Sequence, residues 1–311
     1  MASQLLRRCR GGFREPALPP QPGRVALVTG GTEGIGLATA RQLARLRMRV
    51  LLAGNDAARG EAAAQALREQ TLNDQVEFLY LDLASQHSVR RFARDFRARG
   101  TRLDVLVNNA GVMMVPRRTT PDGLEEHFGL NYLGHFLLTR LLLGPLRASG
   151  RPGRAARVVT VASATHRLGY VRLDDLQGRL GYSAHAAYAQ SKLALVLFTY
   201  RLQRLLEAEG GAVTANAVDP GVVDTALFRH VWWGPRLAQR LLGRWAFKTP
   251  DEGAWTSVVA AASPALEGVG GRYLRDEAEA ASHPLTYDPA LQRRLWDASC
   301  RLAGLPEALA P

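Results

Sequence analysis

From residue 24 onward, short apolar runs rich in β-branched residues alternate with amphipathic stretches of helical length. Runs at 25–28, 50–53, 76–81, 103–107, 158–161, 213–218 and 272–274 predict seven strands, with helical stretches between most of them. That alternation is the pattern of βαβ units and a parallel sheet, an α/β architecture. No repeat, low-complexity tract or linker interrupts 24–298, so a single domain over 24–300 is expected. A basic, proline-rich extension over 1–23 precedes it and a tail over 301–311 follows.

A chain of 311 residues that is 47% hydrophobic can bury a large core, with ~75% of its unfolded surface leaving water. Cys9 and Cys300 lie near opposite ends, and no CxxC or Cys/His cluster predicts a metal site or a disulfide framework. The net charge of +12 comes from arginines spread along the chain in short clusters such as Arg7 with Arg8 and Arg117 with Arg118. No basic run is interleaved with aromatics, so nucleic acid is not an expected partner. The extension carries Arg7, Arg8, Arg10 and Arg14, then Pro16, Pro19, Pro20 and Pro22. Its apolar piece, Gln4-Leu5-Leu6, is far short of a signal-peptide core or the ~20 residues of a spanning helix. Without an anchor segment the chain as written is expected to be soluble.

The first run ends in Thr29-Gly30-Gly31-Thr32-Glu33-Gly34-Ile35-Gly36 and enters a helical pattern. Glycines permit a tight strand-to-helix turn and close approach of backbone N–H groups to a pyrophosphate, whose charge a helix N-terminus favours. Gly30, Thr32, Gly34, Ile35 and Gly36 are therefore candidate dinucleotide contacts, in a TGxxxGxG spacing. After the second strand, an acid would accept from a ribose 2'-OH and an arginine would meet a 2'-phosphate. Asn55 can bond a ribose, Asp56 stands one step further on, Glu33 repels a phosphate and Arg59 can compensate, which favours NAD and leaves NADP open. Asp82, with Leu83, follows the third strand and either accepts from an adenine amino group or caps the next helix. In Asn108-Asn109-Ala110-Gly111, Asn109, Ala110 and Gly111 allow close approach of a ligand or form a structural turn.

Tyr188 and Lys192 are four apart in a helical pattern and so share one face. Of 40 basic residues only Lys192 and Lys248 are lysine; where any positive charge suffices this chain uses arginine, so Lys192 reads as a compact, rotatable ammonium. A cation about 4 Å from a phenol at effective dielectric ~20 favours phenolate by up to ~4 kcal/mol, roughly three pKa units. Such a tyrosine can exchange a proton with an alcohol oxygen. Ser163 ends the fifth strand at the carboxyl edge, where its hydroxyl can hold a substrate oxygen or simply make a turn. No GxSxG elbow points to a hydrolase. Asn131 is a polar amide among apolar neighbours, bonded either to a water chain leading to Lys192 or to nearby backbone. His127 and His135 lack metal spacing and read as packing or surface histidines. Pro220, Gly221, Val223 and Thr225 follow the sixth strand and are expected to reach a nicotinamide carboxamide and open a lid over about 225–250. In it Leu237, Leu241 and Trp245 form one stripe, with Arg236, Arg240, Arg244 and Lys248 beside it and Trp232 and Trp233 upstream. Such a face suits an anionic bilayer, a lipid-like substrate, or packing on its own domain.

Thr29-Gly30 with Gly34 and Gly36, Asn108 to Gly111, Asn131, Ser163, Tyr188 with Lys192, and Pro220-Gly221 together resemble the short-chain dehydrogenase/reductase family. Residues 131–139 and 163–166 resemble its retinol-dehydrogenase-like branch, and 4–13 with 248–255 resemble a member of that branch acting on polyprenols. The resemblance implies a Rossmann-type, doubly wound, seven-stranded parallel sheet in a single domain with a helical lid. It implies NAD or NADP as cofactor and a tetrad of Asn131, Ser163, Tyr188 and Lys192. Tyr188 would exchange the proton, Lys192 would lower its pKa and bind the nicotinamide ribose, Ser163 would orient the substrate oxygen, and Asn131 would hold a relay water. The implied substrates are long-chain polyisoprenoid alcohols and aldehydes, in dolichol synthesis; retinoids or steroids are the alternative, and a cofactor-binding scaffold without turnover the second. A lipid-like substrate fits peripheral contact with a membrane or lipid droplet through the lid, a place at the endoplasmic reticulum or lipid-droplet surface, and a homo-oligomer. Two features depart from the relatives: their apolar N-terminal segment is absent here, and Asn55 stands where NADP-preferring retinol dehydrogenases carry arginine.

Overall fold

Aliphatic and β-branched runs suit a pleated surface covered on both faces, and in the computed structural model they form one twisted sheet. It describes residue 4, residues 12–223 and residues 247–309. The strands are β1 (Val25–Thr29), β2 (Arg49–Gly54), β3 (Val76–Tyr80), β4 (Val105–Asn108), β5 (Ala156–Val161), β6 (Val213–Asp219), β7 (Tyr273–Arg275) and β8 (Ala278–Glu279). Between them lie α1 (Gly34–Arg45), α2 (Ala57–Thr71), α3 (Gln86–Ala98), α4 (His135–Ser149), α5 (Ala184–Glu209) and α6 (Pro250–Ala262), and α7 (Pro289–Ala303) closes the chain.

The strand order is β3-β2-β1-β4-β5-β6-β7-β8. The first seven run parallel, as the sequence predicts, and β8 adds an antiparallel edge. The sheet therefore has eight strands rather than seven. The extra one escapes hydropathy because Ala278–Glu279 is an exposed two-residue segment. Asp276 and Glu277, both at positive φ, form a two-residue hairpin loop that returns it onto β7.

Side chains of a strand alternate between faces, and β1 divides accordingly: Val25 and Leu27 join one core, Ala26 and Val28 the other. The first core is filled from α3, α4, α5 and α7, the second from α1, α2 and α6. The order reverses at β1, which pairs with β2 on one side and β4 on the other. Ligands of doubly wound sheets bind outside the carboxyl ends of strands at such a switch point.

The N-terminal extension lies along the second core. The Gln21 amide donates to the Leu46 carbonyl and its side chain to the Ala262 carbonyl, and Leu18 packs against the apolar cluster. Among the described residues no helix is long and apolar enough to cross a membrane. Nor do three or more His, Cys, Asp or Glu among them form a metal site.

Candidate active site

A cavity of about 790 Å³ opens at the carboxyl ends of β1, β2, β4, β5 and β6. Gly30, Thr32, Gly34, Ile35, Gly36, Asn55, Asp82, Leu83, Asn109, Ala110, Gly111, Ser163, Tyr188, Lys192, Pro220, Gly221 and Val223 all line it. Thr225 and the stripe from Trp232 to Trp245 lie outside the described residues.

Close approach explains the glycines. A Cβ on Gly30, at φ 61°, would come within 2.9 Å of the Ala110 Cα, and one on Gly36 would collide with the Gly30 carbonyl. Asn109 pins this turn: its Nδ2 donates to the Thr29 carbonyl at 2.9 Å and its N–H to the Thr29 hydroxyl at 2.9 Å. The Ala110 N–H donates to the same hydroxyl at 3.1 Å. The residue preceding α1, Glu33, makes no capping hydrogen bond, which leaves the helix N-terminus available to an anion. Glycine cradle, bare helix end and carboxyl-edge location together fit a dinucleotide.

Further along the cleft, Asp56 caps α2 by accepting from the Arg59 N–H at 3.0 Å, and the Arg59 Nη1 pairs with the Glu33 Oε2 at 3.1 Å. All three residues line the cavity beside Asn55. Asp82 does not cap α3; Ser85 does, because Asp82 Oδ1 is turned back to accept from the Ala84 N–H at 3.0 Å.

At the other end, Tyr188 and Lys192 project from the first turns of α5, which Ser183 caps. Tyr188 and Ser163 both line the cavity, and Ser163 donates to the Thr165 hydroxyl at 3.1 Å. Lys192 Nζ donates to the Val161 carbonyl at 3.1 Å and stands 5.7 Å from the centroid of the Tyr188 ring. Burial, opposed by the Ser163 hydroxyl and reinforced by Asp219, pushes Tyr188 up to about 12 rather than down. Burial likewise pushes Lys192 down to about 8, against the pull of Asp219. Desolvation is thus the largest influence on both groups, and for Lys192 it outweighs the attraction of Asp219.

Asn131 lies behind the cavity wall, fully buried. Its Oδ1 accepts from the Val112 N–H at 2.8 Å, and its Nδ2 donates to the Val112 carbonyl at 3.0 Å and the Ser191 hydroxyl at 3.1 Å. Among protein groups, the amide side chain thus holds the backbone of Val112 and the Ser191 hydroxyl. Asn131 sits in a π-helical turn, His127–Gly134, that leads into α4.

Neither His127 nor His135 is on the surface. His127 Nδ1 bonds Glu125 at 2.7 Å and its ring meets Tyr188 edge-on. His135 bridges the Asn131 carbonyl at 2.7 Å and the Thr29 hydroxyl at 2.8 Å, and burial pushes it down to about 4. Sequence reasoning missed this bridge, although His135 stands one helical turn beyond Asn131. It also missed Asp219, the acid that closes β6. Asp219 accepts from the Gly221 N–H at 2.9 Å and the Tyr273 hydroxyl at 3.0 Å. His166 was missed as a brace: its Nδ1 donates to the Ser163 carbonyl at 2.7 Å, and its Nε2 accepts from the His283 N–H at 3.0 Å.

The second lysine is as buried as the first. The Lys248 ammonium lies 2.8 Å from Asp276 Oδ1 and 4.5 Å above the Phe13 ring of the extension, and the Lys248 backbone N–H donates to the Val222 carbonyl at 2.8 Å. It therefore sits directly under the turn that carries Gly221.

A short chain dehydrogenase family profile matches residues 24–233. Over 303 residues the chain is 62% identical to a polyprenol dehydrogenase of Homo sapiens, covering 97% of this chain and 92% of that protein. A Danio rerio protein of the same name is 55% identical, over 94% of this chain and 90% of its own. Retinol dehydrogenase 11 of Homo sapiens is 43% identical, over 92% and 87%. Among solved structures, an uncharacterized protein from Mycobacterium paratuberculosis superposes with a TM-score of 0.75 at 36% identity, over 94% of this chain and 97% of that one. The Pseudomonas aeruginosa RhlG/NADP active-site complex does so with a TM-score of 0.66 at 28% identity, over 82% and 95%.

Proposed function

The chain belongs to the short-chain dehydrogenase family and is a nicotinamide-dependent oxidoreductase, and from that premise we propose that it interconverts long-chain polyisoprenoid alcohols and their aldehydes. The supporting observation is the convergence of Tyr188, Ser163 and Lys192 on the wall of the cleft that the glycine turn opens, with the Lys192 ammonium beside the Tyr188 ring. The polyprenol dehydrogenase relatives supply the substrate class.

The glycine turn and the N-terminus of α1 hold the pyrophosphate, Asn55 faces the adenosine ribose, and Asp82 with Leu83 faces the adenine. Asn109, Ala110, Gly111, Pro220, Gly221, Val223 and Thr225 complete the cofactor groove. Glu33 engages Arg59, and we favour NAD on that ground, because an arginine already paired is less available to a 2'-phosphate. When bound, the nicotinamide donates or accepts the hydride. In reduction, Tyr188 gives its proton to the carbonyl oxygen that Ser163 orients, and the alcohol forms. In oxidation, phenolate takes the hydroxyl proton as the carbinol C–H bond is lost. A phenol pushed up to about 12 keeps its proton at neutral pH, which suits the reducing direction. Lys192, still mostly charged near neutral pH with a pKa of about 8, counters the negative charge left on Tyr188. Asn131 braces the loop after β4 against α5. In this reading the product alcohol feeds dolichol synthesis.

Turnover of polyprenol, polyprenal, dolichal and retinal with each of NAD and NADP, at matched concentrations, tests the substrate class. Polyisoprenoid turnover is expected, and a clear preference for retinal overturns it in favour of a retinoid enzyme. Tyr188→Phe is expected to cost ~10² to 10⁴ in turnover, the usual worth of a general acid or base, with cofactor still bound. A loss of less than about tenfold in that variant contradicts the assignment of the proton to Tyr188.

A further inference from the structure

One buried acid beside the site has no part in the chemistry above. Asp219 ends β6 at the carboxyl edge of the sheet and is 1% exposed. One oxygen accepts from the Gly221 N–H and the other from the Tyr273 hydroxyl, so the carboxylate is fixed from both sides. Its place relative to the reacting groups follows from the strands: Val161 pairs with Val218, the Lys192 ammonium donates to the Val161 carbonyl, and Asp219 is the next residue after Val218. Its field reaches both Tyr188 and Lys192.

The geometry carries a specific consequence. An oxidised nicotinamide is a cation and a reduced one is neutral. Lys192, itself buried and lining the cleft, would repel the cation alone, in surroundings where charges interact strongly. We propose that Asp219 is a buried countercharge for the nicotinamide end of the cleft, which makes the protein bind the oxidised, cationic cofactor more tightly relative to the reduced, neutral one. It also anchors Gly221 and so holds the charge and the cofactor turn in one unit. In a ternary complex the same preference draws hydride from the reduced cofactor to the carbonyl carbon. Tyr188 supplies the proton, leaving alcohol and oxidised cofactor.

The proposal rests on the nicotinamide reading of the site, and the test separates the two. Dissociation constants of NAD⁺ and NADH are measured by fluorescence titration and calorimetry on the full chain, with ADP-ribose, which lacks the nicotinamide, as a control for an intact site. Asp219→Asn removes the charge and keeps an acceptor for Gly221. Its Kd ratio of NAD⁺ to NADH is expected to rise about tenfold, the effect of removing one unit charge at effective dielectric ~20. Tyr273→Phe, which keeps the charge, is expected to hold the ratio within about twofold of the unsubstituted protein. If Asp219→Asn fails to bind ADP-ribose, Asp219→Ser replaces it. Loss of ADP-ribose binding in both makes the residue purely structural and overturns the proposal. An unchanged ratio in a variant that binds ADP-ribose overturns it as well, as does equal weakening of both cofactor forms. Failure of the unsubstituted protein to bind either form refutes the nicotinamide reading instead.

Discussion

Replacing His135 by phenylalanine isolates the bridge between the glycine turn and the π-helical turn. The ring is fully buried, and phenylalanine replaces it with a somewhat larger ring that makes no hydrogen bond, so any overpacking adds to the loss worked out next. A carbonyl only accepts, which places the His135 proton on Nδ1 facing Asn131 and leaves Nε2 to accept from the Thr29 hydroxyl. Phenylalanine removes both bonds. The Thr29 hydroxyl can turn to the Val107 carbonyl at 3.3 Å, which limits that loss to ~1 kcal/mol, whereas the stranded Asn131 carbonyl costs ~1–3 kcal/mol. The variant should therefore lose about 2–4 kcal/mol of stability at pH 7.5.

The same histidine makes the difference depend on pH. Burial holds its native pKa at about 4, against 6.5 for the free side chain. As pH falls through 6.5 the unfolded chain takes up a proton that the native state refuses until about pH 4. Stability is thus full above 6.5 and drains away between 6.5 and 4, by up to ~3 kcal/mol. Phenylalanine binds no proton, so the gap between the two proteins should narrow steadily as pH falls. Urea unfolding followed by tryptophan fluorescence at pH 7.5, 6 and 5 reads it directly. His166, also pushed down by burial, is present in both proteins and cancels in the difference. A gap that stays constant over this range refutes the burial of a neutral His135.

Lys192→Met should abolish turnover yet stabilise the fold by up to ~3 kcal/mol at pH 7, because the native ammonium, at about 8 against 10.5 free, is held against its desolvation. The gain should fade as pH rises from 8 to 10.5 and the unfolded lysine also loses its proton; a variant less stable than the parent in urea at pH 7 contradicts this account. Gly36→Ala places a Cβ against the Gly30 carbonyl and the Asn109 amide. Overpacking of ~1–3 kcal/mol should weaken cofactor binding about tenfold or more, and unchanged affinity by calorimetry counts against the cradle.

The parallel sheet was legible because β1, β2, β4 and β5 are mostly apolar runs and β6 alternates small or apolar with polar residues, and the strand bounds read from those runs agree with the structure to within two residues. The β8 edge was not, since a hairpin of Asp276 and Glu277 is recognised by its backbone and not by hydropathy. Tyr188 and Lys192 were legible from helical spacing. Their electrostatics were not, because spacing says which face two side chains share and nothing about the carbonyl at Val161 that captures the ammonium. The partners of Asn131 depend on a π-helical turn, which shifts its neighbours by one residue from any helical template. His135, Asp219 and His166 each tie a near neighbour to a partner 54 to 117 residues away in sequence, and that distant half no local pattern encodes.

The economy of lysine has an effect outside catalysis. Both lysines of the 311 residues are shielded, Lys192 at 5% and Lys248 at 1% exposure, while the exposed positive charge is carried by guanidinium groups. Amine-directed acylation, aldehyde or ester cross-linkers and lysine-linked ubiquitin therefore meet no accessible side chain on the native molecule. Modification of either residue becomes a record of opening: Lys192 reports the cleft, and Lys248 reports release of the segment that Phe13 covers. Turnover by lysine tagging would then begin only after one of those two regions has come apart.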